Sequence, residues 1–447
     1  MIAATYASGP LKTEQDRCLK VLLIAGSCDR DDVGEAWYSY QWARGLSSRF
    51  DVTVLAICKP GRRGMVRAQL PAARVIEWED WRLPKRWARF NSMAKPGYVG
   101  FYIWARNQIR RLLATETFDL VHQFAPFAMR YPSPGVGWGV PMVLGPVGGS
   151  LASPPAFRAE LRHMAWFTKL RVLDRWRVKY DPFLRGTYRS ADVVIGAMPY
   201  VKEFLAAMPV KRFEVYAETG ILELPADSVR PPPAQNRLRL LFVGRVVRSK
   251  GVRDAIRAMS RLKDLPGVEL DIVGDGEDRR ECELEAVNLG VQDRVHFRGW
   301  LTRDEAATYY TRTHVLVFPS FREPTGNAVL EAMSHGLAVI VADYGGPAFF
   351  VSKSCGIRIP VVTPTQYAED LAAAIRRLAE NPALVTSMGQ AARRRVAEHF
   401  LWKRKIEWMA DLYEDVVRTG TSPHSTTLLR SHRVEPISNR CYEGRIS

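Results

Sequence analysis

Short runs rich in Val, Ile and Leu recur along this chain without the strict apolar–polar alternation of a half-exposed sheet. Strands buried on both faces read this way, because helices cover each side of a parallel sheet. One set of runs falls at 20–25, 51–57, 74–78, 119–124, 141–145, 192–197 and 213–217. A second set falls at 238–243, 269–273, 295–298, 315–318, 338–342 and 356–359. Stretches of helical spacing lie between them, for example 252–262, 303–311 and 364–381, and a helical pattern resumes over 382–419. Strands alternating with helices predict an α/β architecture, here two doubly wound, Rossmann-like domains.

The division falls where the composition turns to proline and polar residues, at Arg230-Pro-Pro-Pro-Ala-Gln-Asn236. The reading is a flexible N-terminus over 1–19, an N-terminal domain over 20–226, a linker over 227–236 and a C-terminal domain over 237–400. A C-terminal helix over 401–419 and a disordered Ser/Thr/Arg-rich tail over 420–447 complete it. Ligands of such folds sit at the carboxyl ends of the strands, so the cleft between the domains is the expected site.

The bulk numbers narrow the class. With 447 residues, 47% hydrophobic and 25% charged, the chain is globular and long enough for two cores. It contains no apolar run of membrane-spanning length and no signal-peptide pattern at Met1, so a cytoplasmic protein is expected. Cys18, Cys28, Cys58, Cys282, Cys355 and Cys441 are scattered with no Cys-x-x-Cys, which argues against a disulfide framework and a zinc site. The net charge of +17 calls for anionic partners.

Two loops carry the candidate chemistry. In Gly244-Arg-Val-Val-Arg-Ser-Lys-Gly251 a strand ends at Gly244, Arg245 emerges at its carboxyl end, and Lys250 precedes the next helix. A guanidinium fork, a point-charge ammonium and a helix N-terminus together suit the oxygens of a diphosphate. A solvated basic turn is the plainer alternative. Val273-Gly-Asp-Gly276 is a second glycine turn, with Gly274 at its start, but Arg279 occupies the third glycine position of a dinucleotide fingerprint.

In Phe321-Arg-Glu-Pro-Thr-Gly-Asn-Ala-Val-Leu-Glu331 two carboxylates stand eight positions apart. With Glu323 in a strand-to-helix turn and Glu331 about two turns along the helix, they are expected roughly 10 Å apart in one cleft. Carboxylates accept hydrogen bonds from vicinal hydroxyls, which ribose and hexose both offer. The alternative is two surface acids at a helix start.

In this order, Gly244-Arg245…Lys250-Gly251, Gly274-Asp-Gly276 and Glu323…Glu331 resemble the C-terminal domain of retaining glycosyltransferases of family 4, whose fold is GT-B, over residues 238–360. The resemblance implies that Arg245 and Lys250 bind the diphosphate of a nucleotide-sugar donor beside Gly244. It implies that Glu331 holds the ribose and Glu323 the transferred sugar. Amides around Gly326, Asn327 and Ala328 would face sugar and phosphate, with Trp300 of Phe297-Arg-Gly-Trp300 beside the base. The first half is less similar. Gly34-Glu35 occupies the place of the family's glycine loop, and Asp119-Leu-Val-His122 matches a strand end, making His122 either a pocket residue or a structural one. Where many members carry a further histidine, this chain has Gly145-Pro-Val-Gly-Gly149, so the amides of Gly148 and Gly149 would line the sugar pocket.

The resemblance further implies transfer with retention and no metal or other cofactor, the donor being a co-substrate. Asp29-Arg-Asp31 is formally the metal motif of the other glycosyltransferase fold but follows the first strand, the wrong place for that role. Bases interleave with aromatics over 157–189 and in Trp81-Arg-Leu-Pro-Lys-Arg-Trp-Ala-Arg-Phe90. This reads as a peripheral contact with the anionic inner-membrane surface and a lipid-linked glycan acceptor, an ordinary amphipathic helix with a solvated basic face being the plainer alternative, with no signature for specific nucleic acid. The competing readings are a GT-B enzyme with a soluble acceptor and a non-catalytic membrane or nucleic-acid binder.

Overall fold

The computed structural model describes residues 18–80, 95–161, 172–226 and 232–419. The expectations for 1–17 and 420–447 lie outside the described residues, as do 227–231 of the linker, the basic segment 81–90 and the middle of the second one, 162–171.

Seven strands form one sheet: β1 (Lys20–Ala25), β2 (Asp51–Cys58), β3 (Arg74–Glu79), β4 (Leu120–Ala125), β5 (Met142–Val147), β6 (Val193–Gly196) and β7 (Phe213–Val215). Six form another: β8 (Leu238–Val243), β9 (Val268–Val273), β10 (Val295–Gly299), β11 (Val315–Phe318), β12 (Ala338–Ala342) and β13 (Gly356–Ile359). The orders are β3-β2-β1-β4-β5-β6-β7 and β10-β9-β8-β11-β12-β13. The strand pairs are parallel, with Val21 opposite both Val52 and Leu120, and Leu240 opposite both Leu270 and Val315. Each sheet therefore reverses its winding once, between β1 and β4 and between β8 and β11. These are the topological switch points at which such sheets bind ligands.

Local sequence fixes several helix starts. Thr302 and Glu305 form a reciprocal capping box ahead of helix Arg303–Arg312. Asp181, Thr363 and Asn381 cap helices whose next residue is proline, the position where a missing N–H costs nothing. Among the described residues, no helix is long and apolar enough to cross a membrane.

The chain passes between the sheets twice, and the passages lie side by side. The Ile221 N–H donates to the Phe400 carbonyl at 2.8 Å, and the Trp402 N–H to the Ile221 carbonyl at 2.9 Å. This bridge takes up residues 400–401 and splits the helical pattern of 382–419 into Pro382–His399 and Trp402–Thr419. The second of these helices lies against the first sheet: Met409, Leu412 and Tyr413 share one apolar cluster with Val21, Leu23 and Val54. It approaches helix Glu35–Ser47 so closely that a Cβ on Gly45 would stand 2.4 Å from Ile406 Cδ1.

One expectation for 157–189 is corrected by the packing. Phe157 is not a surface aromatic. It is fully buried, with its ring 4.4 Å from that of Phe321 beyond β11, and so helps to join the two halves. Tyr188 is likewise buried, its hydroxyl donating to the Met129 carbonyl at 3.0 Å.

Candidate functional site

The second switch point brings the two candidate loops together. Gly244–Gly251 leaves β8 and Phe321–Asn327 leaves its neighbour β11, so residues far apart in sequence meet at adjacent strand ends. Gly251 adopts a left-handed φ of +74°, and a Cβ there would lie 2.0 Å from the Pro319 carbonyl oxygen. Only glycine fits this turn. Gly274 supports the loop from behind, where a Cβ would lie 1.9 Å from the Gly244 oxygen. Its place in the motif is thus explained by close backbone contact with the loop.

Inside the cleft, the Lys250 ammonium contacts the Glu323 carboxylate directly and lies 5.3 Å from the centre of the Phe318 ring. Burial and the nearby Arg245 charge pull the Lys250 amine down to about 8, while the Glu323 carboxylate beside it favours its cationic form. Arg245 is exposed, and among the described residues no carboxylate pairs with it. Arg248, in the same loop, turns away: it forks onto the buried Asp254 at 2.6 and 3.0 Å and also meets Glu160.

Glu323 is held in a turn. Its Oε1 accepts from the Thr325 N–H at 3.3 Å, and its carbonyl accepts from the Gly346 N–H at 2.9 Å. Gly326, at φ +95°, ends the turn, and the helix runs over Asn327–Ser334. Glu331 therefore sits just over one turn into the helix rather than two, because Pro324-Thr325-Gly326 stays outside it. Its carboxylate accepts from the Tyr310 hydroxyl at 3.0 Å. Burial raises its pKa, and the Arg303 charge and the Tyr310 bond offset part of that rise. Gly326, Asn327 and Ala328 form the first turn of this helix and its cap, so their amides are at the end that carries partial positive charge. Trp300 stands 74% exposed beyond β10.

The opposite wall comes from the first sheet. Gly34 caps helix Glu35–Ser47 at φ +64°, with open space where a Cβ would be. Glu35 accepts from Ser27 at 3.1 Å and meets the Lys95 ammonium. The Gly148 N–H donates to the Phe127 carbonyl at 2.7 Å, and the Gly149 N–H to the Tyr200 hydroxyl at 3.2 Å. Those two amides are thus engaged within the protein. Beyond them Leu151 Cδ2 approaches Gly345, and the Tyr344 hydroxyl bonds the Ala152 carbonyl at 3.0 Å, so this loop abuts the Glu323 turn.

His122 is placed in the core, not on a pocket wall. It is fully buried, with Nε2 at 2.5 Å from the Gly145 carbonyl and Nδ1 against the Tyr413 hydroxyl. A carbonyl only accepts, so Nε2 carries the proton and Nδ1 accepts from Tyr413. Burial lowers its pKa to about 4, although the Gly145 bond opposes this, which leaves the ring neutral. Asp29 is also committed locally, to Gln69 at 3.1 Å, Lys59 at 3.1 Å and the Asp31 N–H at 3.0 Å.

Sequence reasoning missed the contacts across the cleft. Asn327 Nδ2 donates to the Tyr38 hydroxyl, the Thr325 hydroxyl donates to Glu218, and the Arg303 guanidinium lies 6.0 Å from the centre of the Trp37 ring. The aromatic pair Trp37-Tyr38, one residue after Gly34-Glu35, was the available signal for Tyr38 and Trp37. Of the interleaved bases, Arg177 pairs with Asp181 at 2.7 Å and Arg185 donates to the Val178, Lys179 and Ala207 carbonyls. Trp176, Tyr180 and Phe183 remain exposed at 60%, 54% and 71%.

Comparison with known proteins gives the arrangement its context. Residues 226–395 match the family model described as glycosyl transferases group 1. A D-inositol 3-phosphate glycosyltransferase of Streptomyces bingchenggensis is 31% identical over 208 residues, 44% of this chain and 43% of the relative. The lipopolysaccharide core biosynthesis glycosyltransferase LpsE of Rhizobium meliloti is 28% identical over 254 residues, 52% of this chain and 72% of the relative. The chain thus spans less than half of the first relative and most of the second. Among solved structures, sucrose-phosphate synthase from Thermosynechococcus elongatus superposes with a TM-score of 0.61 at 20% identity, over 90% of this chain and 100% of that one. HepE of Anabaena, solved with UDP, gives 0.59 at 16% identity over 89% and 100%. At these identities the likeness establishes the fold, and the fold is GT-B.

Proposed function

We propose that this chain is a retaining glycosyltransferase of family 4, moving a hexosyl group from a nucleotide-sugar donor to an acceptor in cell-surface polysaccharide or lipopolysaccharide assembly. The observation that carries the reading is the meeting of Lys250 with Glu323 at the switch point of the second sheet, with Arg245 beside them and Glu331 on the adjoining helix. Cations face the diphosphate, one carboxylate faces the transferred sugar and the other the ribose. The match to group 1 glycosyl transferases covers this half of the chain and supports the donor side. The solved HepE complexes with UDP and with UDP-glucose supply the ligand class.

The chemistry follows from charge. As the bond from the anomeric carbon to the diphosphate breaks, negative charge builds on the leaving oxygen, where Arg245 and Lys250 stand ready. Fixed charges aimed at developing charge are worth more in a water-excluded cleft than in bulk solvent. The acceptor oxygen bonds to the anomeric carbon on the face the diphosphate leaves, and the acceptor proton passes to the leaving phosphate oxygen. Closure of the two domains would exclude water from that step. The charge of Arg245 and Lys250 gives the leaving group its partner with no bound metal in the scheme.

We assign the acceptor to the lipid-linked class. Trp176, Tyr180 and Phe183 expose apolar rings beside Lys179 on the N-terminal half, the composition of a peripheral contact with an anionic cytoplasmic membrane face. The donor reading is tested by thermal shift across UDP-, GDP-, dTDP- and ADP-sugars. A ligand that binds the folded state raises the melting temperature by mass action, and no shift with any donor sinks the proposal. Transfer that requires lipid-linked acceptor supports the acceptor class; equal transfer to a free glycan removes it.

A further inference from the structure

The segment Glu218-Thr219-Gly220-Ile221 follows β7, where the chain leaves the first sheet. Glu218 is buried there, although a carboxylate in a dry setting costs several kcal/mol unless a counter-charge and hydrogen bonds compensate. Both kinds of compensation are present, and they point in different directions. One carboxylate oxygen accepts from the Thr325 hydroxyl, in the turn that holds Glu323. The other has no hydrogen-bond partner among the described residues. The counter-charge is Lys405, 1% exposed on helix Trp402–Thr419.

Lys405 is itself fixed from three sides. Its ammonium donates to the Ala217 carbonyl at 2.5 Å, lies 4.0 Å from the centre of the Tyr216 ring and 5.2 Å from that of Trp42. Gly220 leaves room for its stem, since a Cβ there would stand 2.7 Å from Lys405 Cδ. Burial pulls the Lys405 amine down to about 7 and pushes the Glu218 carboxyl up, and the charge of each partner opposes that shift in the other. Next to Glu218, Thr219 bonds the Tyr38 side chain, and Tyr38 receives the Asn327 amide. The crossing segment thus reaches the donor turn on both sides of Gly326, at Thr325 and at Asn327.

We infer that Glu218 is a positioning residue: through Thr325 it fixes the turn that aims the Glu323 carboxylate and the amides of Gly326–Ala328, and Lys405 is the buried counter-charge that keeps it in place. This rests on the donor-site reading for its consequence in catalysis, but not for its geometry. Thr325 connects the two, because its N–H is held by Glu323 and its hydroxyl by Glu218. A turn tethered to the crossing segment keeps its shape before any ligand arrives, which lowers the ordering cost of binding.

The test uses full-length, ligand-free protein and amide hydrogen exchange over residues 322–331. Loss of a charge-assisted bond should speed exchange at 325–330 roughly tenfold in Glu218→Ala and in Thr325→Val. The double variant should be no faster than either single one, because both remove the same bond. Glu218→Gln keeps an acceptor oxygen for Thr325 and should stay near wild type at these amides. Should Glu218→Ala fail to fold, Thr325→Val against Glu218→Gln still decides. Exchange at wild-type rates in Thr325→Val, or additive effects in the double variant, overturns the inference. With any donor the wild type turns over, Thr325→Val should raise donor KM several-fold more than it lowers kcat. Absence of turnover with every donor would count against the proposed function and leave the exchange result standing; unchanged exchange would do the reverse.

Discussion

Lys250 and Glu323, 73 residues apart in sequence, meet in direct contact between the carboxyl ends of β8 and β11. In the proposed function, the contact pairs the cation for the donor diphosphate with the carboxylate for its sugar. It holds both charges in a partly buried place before a ligand arrives. A donor phosphate would compete for Lys250 and release Glu323 toward the sugar hydroxyls.

The Lys250 amine, lowered to about 8 by burial and Arg245, is cationic below that pH and neutral above it. Donor kcat/KM should therefore hold below about pH 8 and fall as pH rises through it. Lys250→Ala should lower kcat/KM by about 100-fold or more, as removal of one preorganised charge does elsewhere. Lys250→Arg should shift the alkaline limb upward even where it costs activity, because a guanidinium does not titrate in that range. A pH profile of the three proteins checks this.

Glu331 is proposed to hold the ribose, and Tyr310 orients its carboxylate. Glu331→Gln should raise donor KM roughly tenfold, the worth of a hydrogen bond to a charged group, and leave kcat less affected. Tyr310→Phe should act in the same direction and more weakly. A donor whose ribose lacks one hydroxyl should lose affinity for the wild type but little more for Glu331→Gln, since both changes delete one contact. Isothermal titration of the four combinations measures it.

His122 makes a prediction about acid stability. Its folded pKa, lowered to about 4 by burial, lies below the unfolded value of 6.5. Between those values the unfolded chain binds a proton that the folded one refuses, so stability is retained above 6.5 and lost as pH falls toward 4. The loss is on the order of 3 kcal/mol at one pKa unit per 1.36 kcal/mol. The wild-type advantage over His122→Asn should shrink across this window in urea unfolding at pH 7, 5 and 4.

Arg248 gives a stability prediction in the other half. Its fork onto the buried Asp254 means that Arg248→Ala leaves an interior carboxylate with only the longer Arg257 contact at 3.5 Å. Loss of one partner of such a pair costs about 3–5 kcal/mol. Arg248→Met paired with Asp254→Leu should recover much of that loss, because the buried carboxylate goes with its partner and the half-exposed Glu160 keeps Arg257 at 3.6 Å. Thermal unfolding of the single and double variants distinguishes the outcomes.

The strands of both sheets were legible because buried parallel strands are written as uninterrupted Val/Ile/Leu runs, and the runs at 238–243, 315–318, 338–342 and 356–359 coincide with β8, β11, β12 and β13. The nearness of Lys250 to Glu323 was legible only through the order of motifs, since no local pattern encodes which strand lies beside which. The start of the Glu331 helix was misjudged because Gly326 reads as a small residue and not as a left-handed stop. Phe157 was misread, and His122 was left open between pocket and structure, for one reason: burial depends on what the distant chain brings, here Phe321 and Tyr413. The link Thr325–Glu218 lay outside any sequence reading, being a single contact between residues with no shared motif, whereas Trp37-Tyr38 near Gly34 at least flagged the wall that Asn327 meets.

Helix Trp402–Thr419 returns across the cleft to complete the core that begins at β1. The half built on the first sheet is therefore not a single stretch of the gene. A fragment ending near Phe400 would expose Trp42 and strip Met409, Leu412 and Tyr413 from the first sheet. An exchange of this half between related proteins would have to move two separated pieces together, the chain up to the first crossing and the last helix. Recombination at one point should yield insoluble hybrids, whereas two-point exchange at Ile221 and Leu401, where the crossings touch, should yield folded ones.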